Sequence, residues 1–324
     1  MKKVRWGIVG PGVIAHKFAE AIKNVESAEL IAVASTSRER ACSFAKEYNI
    51  PHCFSSYAEM ASSCLIDAVY ISTAHPFHFD CAKLFLEAKI PVLCEKPLTV
   101  NAKQAKELKK IAAKNDVFLM EAMWTRFLPY FSKLTSLLKA KEIGDIQSIT
   151  ADFCYYIEKE EDPKLFENSL AGGSLLDVGV YCLHFASAIL GDPSDFFAEA
   201  DIENGIDTHT RILLKYPNGN KATLSSAIRL EKPYDAYIYG SEGSIFIPSF
   251  YKADSFTVIK NNGEKTDYYF PYGENRFEFE IIEVCSRIAQ HKKESSILPL
   301  GETIKVIEQM DKIRTLLGIS YTCE

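Results

Sequence analysis

Two hydrophobic rhythms alternate over the first third of the chain. Residues 4–9 form a short apolar run that stops at glycine, and residues 29–34 and 67–72 repeat that density of Val, Ile and Ala. Between these runs the apolar residues fall three and four apart: Ile14, Phe18, Ala21 and Ile22 within 13–24, with similar stretches at 39–48 and 79–88. Spacing of three and four places side chains on one face of a helix, whereas short continuous runs suit strands buried on both faces. Residues 92–94 and 117–120 predict two more strands, and the lysine-rich segment 102–115 predicts an amphipathic helix. Strands alternating with helices imply βαβ units, and right-handed crossovers then give a doubly wound parallel sheet.

The rhythm changes near residue 121. A helical stretch at 127–139 is followed by strand patterns at 146–156, 208–216, 221–228, 234–239, 244–247 and 255–259. Several are separated by turn formers such as Pro217-Asn218-Gly219-Asn220 and Asn261-Asn262-Gly263. Consecutive strands joined by short turns make an antiparallel sheet. One long apolar helix, 174–190, interrupts the series and ends at Gly191, a residue suited to a C-cap. Two helices close the chain at 277–291 and 301–317. The predicted organisation is an α/β domain over 1–121 and an α+β domain over 122–324. The second carries a large open, mostly antiparallel sheet with helices on one face.

Composition narrows the function. A length of 324 residues exceeds what one core usually reaches, in keeping with two domains. The net charge is −6, with the charges mixed along the chain, which argues against a nucleic-acid or anionic-membrane partner. No run reaches the ~18 consecutive apolar residues of a membrane span. Nine cysteines are scattered with no Cys-x-x-Cys pair, so free thiols in a reducing cytoplasm are expected. No His/Cys cluster has zinc-site spacing, and no metal is expected.

Candidate chemistry begins at Gly10-Pro11-Gly12-Val13-Ile14-Ala15, which follows a strand and opens a helix. The first glycine permits a tight turn, and the second lets the backbone approach a pyrophosphate. Ala15 still allows close helix–strand packing, so this is a dinucleotide-binding (Rossmann) start. Backbone N–H groups of Val13 and Ile14 then face the phosphates at a helix N-terminus. The second strand ends at Ser35-Thr36-Ser37-Arg38, with no acid before Glu39. Small hydroxyls and a guanidinium suit a ribose 2′-phosphate, so NADP(H) is preferred and NAD(H) remains open. The alternative for Arg38 is a solvated residue at a helix start. Thr73, His75 and His78 follow the third strand, where loops line the ligand crevice; each histidine is equally a loop or cap residue. Glu95-Lys96-Pro97 ends a strand on the same side of the sheet, with Pro97 a candidate for a cis peptide.

Downstream, Gly172-Gly173-Ser174-Leu175-Leu176-Asp177-Val178-Gly179-Val180-Tyr181 joins these motifs. Together they resemble the Gfo/Idh/MocA oxidoreductases over essentially the whole chain. The segment Met120-Glu121-Ala122-Met123-Trp124-Thr125-Arg126-Phe127 is most similar to the trans-dihydrodiol and D-xylose dehydrogenase branch. The resemblance implies that Lys96 is the active-site lysine and that Asp177 and Tyr181 supply an acid and a proton-transfer group. Residues four apart share a helical face, and a nearby ammonium lowers a phenol from its ordinary pKa of about 10. Trp124, Arg126 and His184 are candidate pocket residues, with packing as their alternative. Two positions depart from the pattern. Thr36 stands where NADP-using relatives commonly carry arginine, and Ala171 stands where a third glycine is usual.

The expectation is a dehydrogenase or reductase moving hydride between nicotinamide and a secondary alcohol or carbonyl of a sugar, cyclic polyol or trans-diol. The competing expectation is a dinucleotide sensor without turnover, since the same family includes a galactose-pathway repressor. The resemblance also implies a homodimer or dimer of dimers through the second domain's sheet.

Overall fold

The structure is a computed structural model, and it describes residues 3–273 and 275–324. The chain forms two compact units, Met1–Phe127 with Gly273–Ile304, and Leu128–Tyr272 with Lys305–Glu324. The chain therefore returns to the first unit late in its course, whereas the sequence reading draws one boundary between 121 and 122.

In the first unit, six strands lie parallel: β1 Val4–Val9, β2 Ala28–Ala34, β3 His52–Phe54, β4 Ala68–Ile71, β5 Val92–Glu95 and β6 Leu119–Ala122. Their order is β3-β2-β1-β4-β5-β6, with helices α1 Val13–Ala21, α2 Arg38–Tyr48, α3 Tyr57–Ser62, α4 His78–Glu87 and α5 Ala102–Asn115 in the connections. The strand order reverses between β1 and β4, and Val9 pairs with Ile71 there. The carboxyl ends of these two strands are thus neighbours at the topological switch point, where such sheets bind ligands. The central strands are buried on both faces, as their continuous apolar runs require. Phe18 of α1 stacks on Tyr70 of β4 with ring centroids 3.9 Å apart.

The second unit opens with α6 Pro129–Lys139 and β7 Ile146–Cys154, followed by α7 Val180–Leu190. Seven more strands complete an eight-stranded sheet: β8 Asp195–Glu203, β9 Ile206–Lys215, β10 Lys221–Ala227, β11 Ala236–Gly240, β12 Gly243–Ile247, β13 Ser255–Lys260 and β14 Lys265–Tyr269. The order is β14-β13-β12-β11-β7-β10-β9-β8, antiparallel except where β7 meets β10. One face buries Ile149, Leu224, Ile238 and Ile245, and α7 packs against β7 and β10. Residues 168–190 are apolar enough to cross a membrane by length and composition, but the segment is mostly buried inside the protein as core. Helix α8 Glu278–Ala289 belongs to the first unit, and α9 Leu300–Leu317 begins there.

Three expectations are corrected. Strands β3, β8 and β14 stand where no strand is expected from the apolar pattern; all three are sheet edges, where short and charged sequences are favoured. The long helix does not begin as an α-helix: Leu175–Gly179 forms a π-helical turn before α7. Lastly, the thiols are not all free. Cys42 on α2 and Cys53 on β3 form a disulfide, with Cα atoms 5.3 Å apart, because the short α2–β3 turn lays the strand beside the helix.

Candidate active site

The glycine turn joins β1 to α1 and rests on the end of β4. Gly10 has φ +85°, and a Cβ there would lie 3.2 Å from Ser72 O and Thr73 N. The side chain of Ser72 reaches Val9 O and Gly10 O at 3.1 and 2.9 Å, bracing the turn. Gly12 differs in kind: its φ is −97°, and a Cβ there would meet nothing closer than Gly10 O at 4.0 Å. The open space faces the first turn of α1, which carries no acidic residue, and Val13 is 85% exposed. Unpaired N–H groups of a helix start, an open backbone and no negative charge fit a pyrophosphate.

At the adenosine-ribose end, Ser35 is buried and supports the loop rather than offering its side chain outward. Its N–H donates to Phe54 O and its Oγ accepts from Ser37 N–H. Ser37 caps α2 by accepting from Arg40 N–H, as a serine at this position does. Thr36 and Arg38 are exposed. Arg40, which the sequence reading passed over, donates to Thr36 Oγ1 at 3.3 Å and brings a second guanidinium to this corner.

The Lys96–Pro97 peptide is cis. The turn around it is held by three buried side chains. Glu95 accepts from Tyr70 Oη and from Lys96 N–H. Glu121, fully buried, accepts from Leu98 N–H and from Thr303 Oγ1. His78 spans Pro97 O and Thr73 O, each 2.9 Å from a ring nitrogen. Burial pushes the Glu95 carboxyl above its ordinary range, against the pull of the Tyr70 hydroxyl and the Lys96 charge. Burial likewise lowers His78, although both carbonyls favour its protonated form. His78 is therefore a brace for the turn and is fully buried, which corrects its expected reach to the nicotinamide. Half-buried His75 lies against it, ring centroids 5.8 Å apart. Lys96 is half-buried at the centre of this frame.

The second unit contributes the Asp177 helix. Its start is anchored by Asp207, which is fully buried on β9 and accepts from Ser174 Oγ at 2.6 Å, Leu175 N–H at 2.7 Å and Thr210 Oγ1 at 2.7 Å. Gly179 lets the helix press on the sheet, since a Cβ there would lie 2.9 Å from Ser226 Oγ. Asp177, in the π turn, accepts from Tyr155 Oη at 2.8 Å. π turns occur preferentially at functional sites. Tyr181 sits among aromatic rings, 5.3 Å from Phe153 and 6.1 Å from Tyr251 between centroids. His184 lies in the interior of α7 at 1% exposure.

Arg126 is also corrected. Its guanidinium forks onto Glu302 and Ile297 O in the first unit and is 8% exposed, so the fork expected for a substrate hydroxyl is engaged internally. Trp124 stacks on Phe277 at 5.7 Å and is half-buried. The first unit thus gathers Gly10, Gly12, Thr73, His75, His78, Glu95 and Lys96 around adjoining strand ends, and the second joins Asp177 and Tyr181 on one helix. Sequence reasoning missed Ser72, Arg40, Glu121, Tyr155 and Asp207. None gave a signal: Asp207 falls one residue before the strand run expected at 208–216 and inside β9 only in the structure.

Comparison with known proteins gives matches over nearly the whole chain. The model of an oxidoreductase family with an NAD-binding Rossmann fold matches residues 4–123, and the model of the GFO/IDH/MocA C-terminal domain matches residues 131–246. Trans-1,2-dihydrobenzene-1,2-diol dehydrogenase of Xenopus tropicalis is 34% identical over 330 residues, covering 98% of this chain and 99% of its own. The scyllo-inositol 2-dehydrogenase (NADP(+)) IolU of Bacillus subtilis is 32% identical, covering 99% of each chain. In fold, the chain is similar to KijD10, a 3-ketoreductase from Actinomadura kijaniata solved with NADP and TDP-benzene, at 22% identity and a TM-score of 0.88 over 97% of this chain and 98% of that one.

Proposed function

The chain belongs to the Gfo/Idh/MocA oxidoreductase family, and we propose that it is an NADP(H)-linked dehydrogenase or reductase acting on a secondary alcohol of a sugar, cyclic polyol or trans-diol. The observation that carries this reading is the open cradle at Gly12, where the protein's own packing leaves a backbone free for a phosphate to approach. Thr36, Arg38 and Arg40 are assigned to the 2′-phosphate, since guanidinium groups match its geometry and no acid intrudes before Glu39. A bound nicotinamide would accept or supply the hydride.

The remaining chemistry is proton handling by this chain's side chains. Tyr181 is assigned the exchange of the substrate hydroxyl proton. Lys96 is assigned the fixed positive charge that favours a phenolate, on a turn braced by Glu95, His78 and Glu121. Asp177 is assigned the orientation of the substrate hydroxyl. Trp124, half-buried and backed by Phe277, is assigned to the substrate side. The reading includes a cytoplasmic location and a homodimer or dimer of dimers through the eight-stranded sheet.

The test is an absorbance screen for reduced nicotinamide, with NADP and NAD separately, across pyranoses, inositols and trans-diols. Turnover with one class and preference for NADP is the expected result. Tight cofactor binding with no turnover on any class would overturn the enzyme reading in favour of a dinucleotide sensor, and a monomer by light scattering would overturn the dimer.

A further inference from the structure

Asp177 and Tyr181 do not act alone in the second unit. Tyr155 follows the last residue of β7, and its backbone N–H donates to Ala227 O at 3.0 Å, so its position is set by the sheet and not by the helix. Its hydroxyl crosses to the π turn and donates to Asp177 Oδ2 at 2.8 Å. The helix bearing Asp177 is therefore tied to the sheet at two points, through Ser174 and Leu175 to Asp207 on β9, and through Asp177 to Tyr155 beside β7. The first tie fixes the helix start. The second fixes a side chain assigned to the chemistry.

Resting on the reading of Asp177 and Tyr181 above, we propose that Tyr155 is a positioning residue for proton transfer: its hydroxyl holds the Asp177 carboxylate in one orientation and in its ionised form. A phenol that donates to a carboxylate satisfies one oxygen, limits the rotation of the group and favours the charged state. The two phenols near this helix then have separate tasks. Burial, followed by the Asp177 charge and the hydrogen bond to it, pushes Tyr155 far above the ordinary phenol range, with Asp162 and Tyr234 acting in the same direction. Tyr155 thus keeps its proton throughout the working range and serves as a fixed donor, leaving the exchangeable proton to Tyr181.

The test is Tyr155→Phe, which removes one oxygen and keeps the ring that packs beside Phe153. With the substrate that the wild type turns over, kcat is expected to fall about tenfold, the scale set by one hydrogen bond to a charged group, with KM within about twofold. The acidic limb of the kcat/KM profile is expected to move up by about one pH unit, because the ionised carboxylate has lost a donor. A merely structural tyrosine would lower the melting temperature and leave the pH profile in place. An unchanged kcat and pH profile overturns the proposal. The second readout needs no turnover: the Asp177 carboxyl is followed by carbon NMR during a pH titration, assigned through Asp177→Asn. Titration at higher pH in Tyr155→Phe supports the proposal, and identical titration overturns it. Absence of wild-type turnover would count against the enzyme reading alone.

Discussion

Ser72 Oγ and the carbonyl oxygen of Gly10 stand 2.9 Å apart, and this bond fastens the glycine turn to the neighbouring strand end. The two glycines of the turn are consequently required for different reasons. Gly10 has a positive φ and only tight space for a Cβ, 3.0–3.2 Å from its neighbours, so Gly10→Ala is expected to cost about 1–2 kcal/mol of folding stability. Gly12 has an ordinary φ and open space, so Gly12→Val is expected to fold with an unchanged melting temperature while losing dinucleotide binding. Calorimetry paired with a cofactor titration separates the two. Tight NADP binding by Gly12→Val would sink the cradle assignment.

Two exposed guanidinium groups flank Thr36, one on Arg38 and one on Arg40, which donates to Thr36 Oγ1. A hydrogen bond from arginine to a phosphate contributes about 1.5–3 kcal/mol. Replacing either by alanine is therefore expected to raise the KM for NADP(H) about tenfold or more, and to leave the KM for NAD(H) within about twofold. Equal losses for both cofactors would mean that neither arginine reads the 2′-phosphate.

What the sequence made legible follows the burial of each element. Central strands such as β4, with Ala68 to Ile71 all buried, carry continuous apolar runs and were read directly. The edges were not: β8 runs Asp195-Phe196-Phe197-Ala198-Glu199-Ala200-Asp201-Ile202-Glu203, and its acids hide the alternation that an open edge strand needs least. Local motifs were also legible, since the glycine turn and the Lys96–Pro97 turn are each written in consecutive residues. Long-range partners were not. Nothing near Arg126 points to Glu302, 176 residues away, and nothing near Tyr155 points to Asp177. The π turn at Asp177 likewise depends on tertiary anchoring by Asp207, which helical periodicity does not encode.

Asp207 makes that anchoring testable. It is fully buried and collects three donors, Ser174 Oγ, Leu175 N–H and Thr210 Oγ1. Asp207→Ala strands Leu175 N–H and Thr210 Oγ1 away from water, whereas Ser174 Oγ still has Ser226 O at 3.0 Å to donate to, and each buried donor without a partner costs about 1–3 kcal/mol. The expected loss is at least about 2 kcal/mol in a denaturant melt, with Asp207→Asn losing less because one carbonyl oxygen still accepts. A loss under about 1 kcal/mol for alanine would show that the helix start is held by its apolar packing instead.

Glu280 sets the last expectation, a stability that falls as pH rises. It lies in the first turn of α8 at 0% exposure, and neither carboxyl oxygen has a hydrogen-bond partner among the described residues. Burial, and then the charge of Glu95, raise it well above its ordinary value of 4.5. A raised acid binds its proton more tightly in the folded state, so its contribution is fully present below the unfolded value and is lost as pH rises through the folded one. Glu95 and Asp207, both also raised by burial, act in the same direction. Glutamine keeps the shape and never ionises. Glu280→Gln is therefore expected to melt above the wild type at about pH 8, and to converge with it at about pH 3, where the wild-type carboxyl is neutral in both states. A tenfold gain in proton affinity on folding corresponds to about 1.4 kcal/mol, so the difference at the higher pH measures how much more tightly the folded protein holds this proton. Melting curves that coincide at both pH values would mean that Glu280 ionises in the folded protein as readily as in the unfolded chain, which full burial beside Glu95 does not allow without a compensating partner.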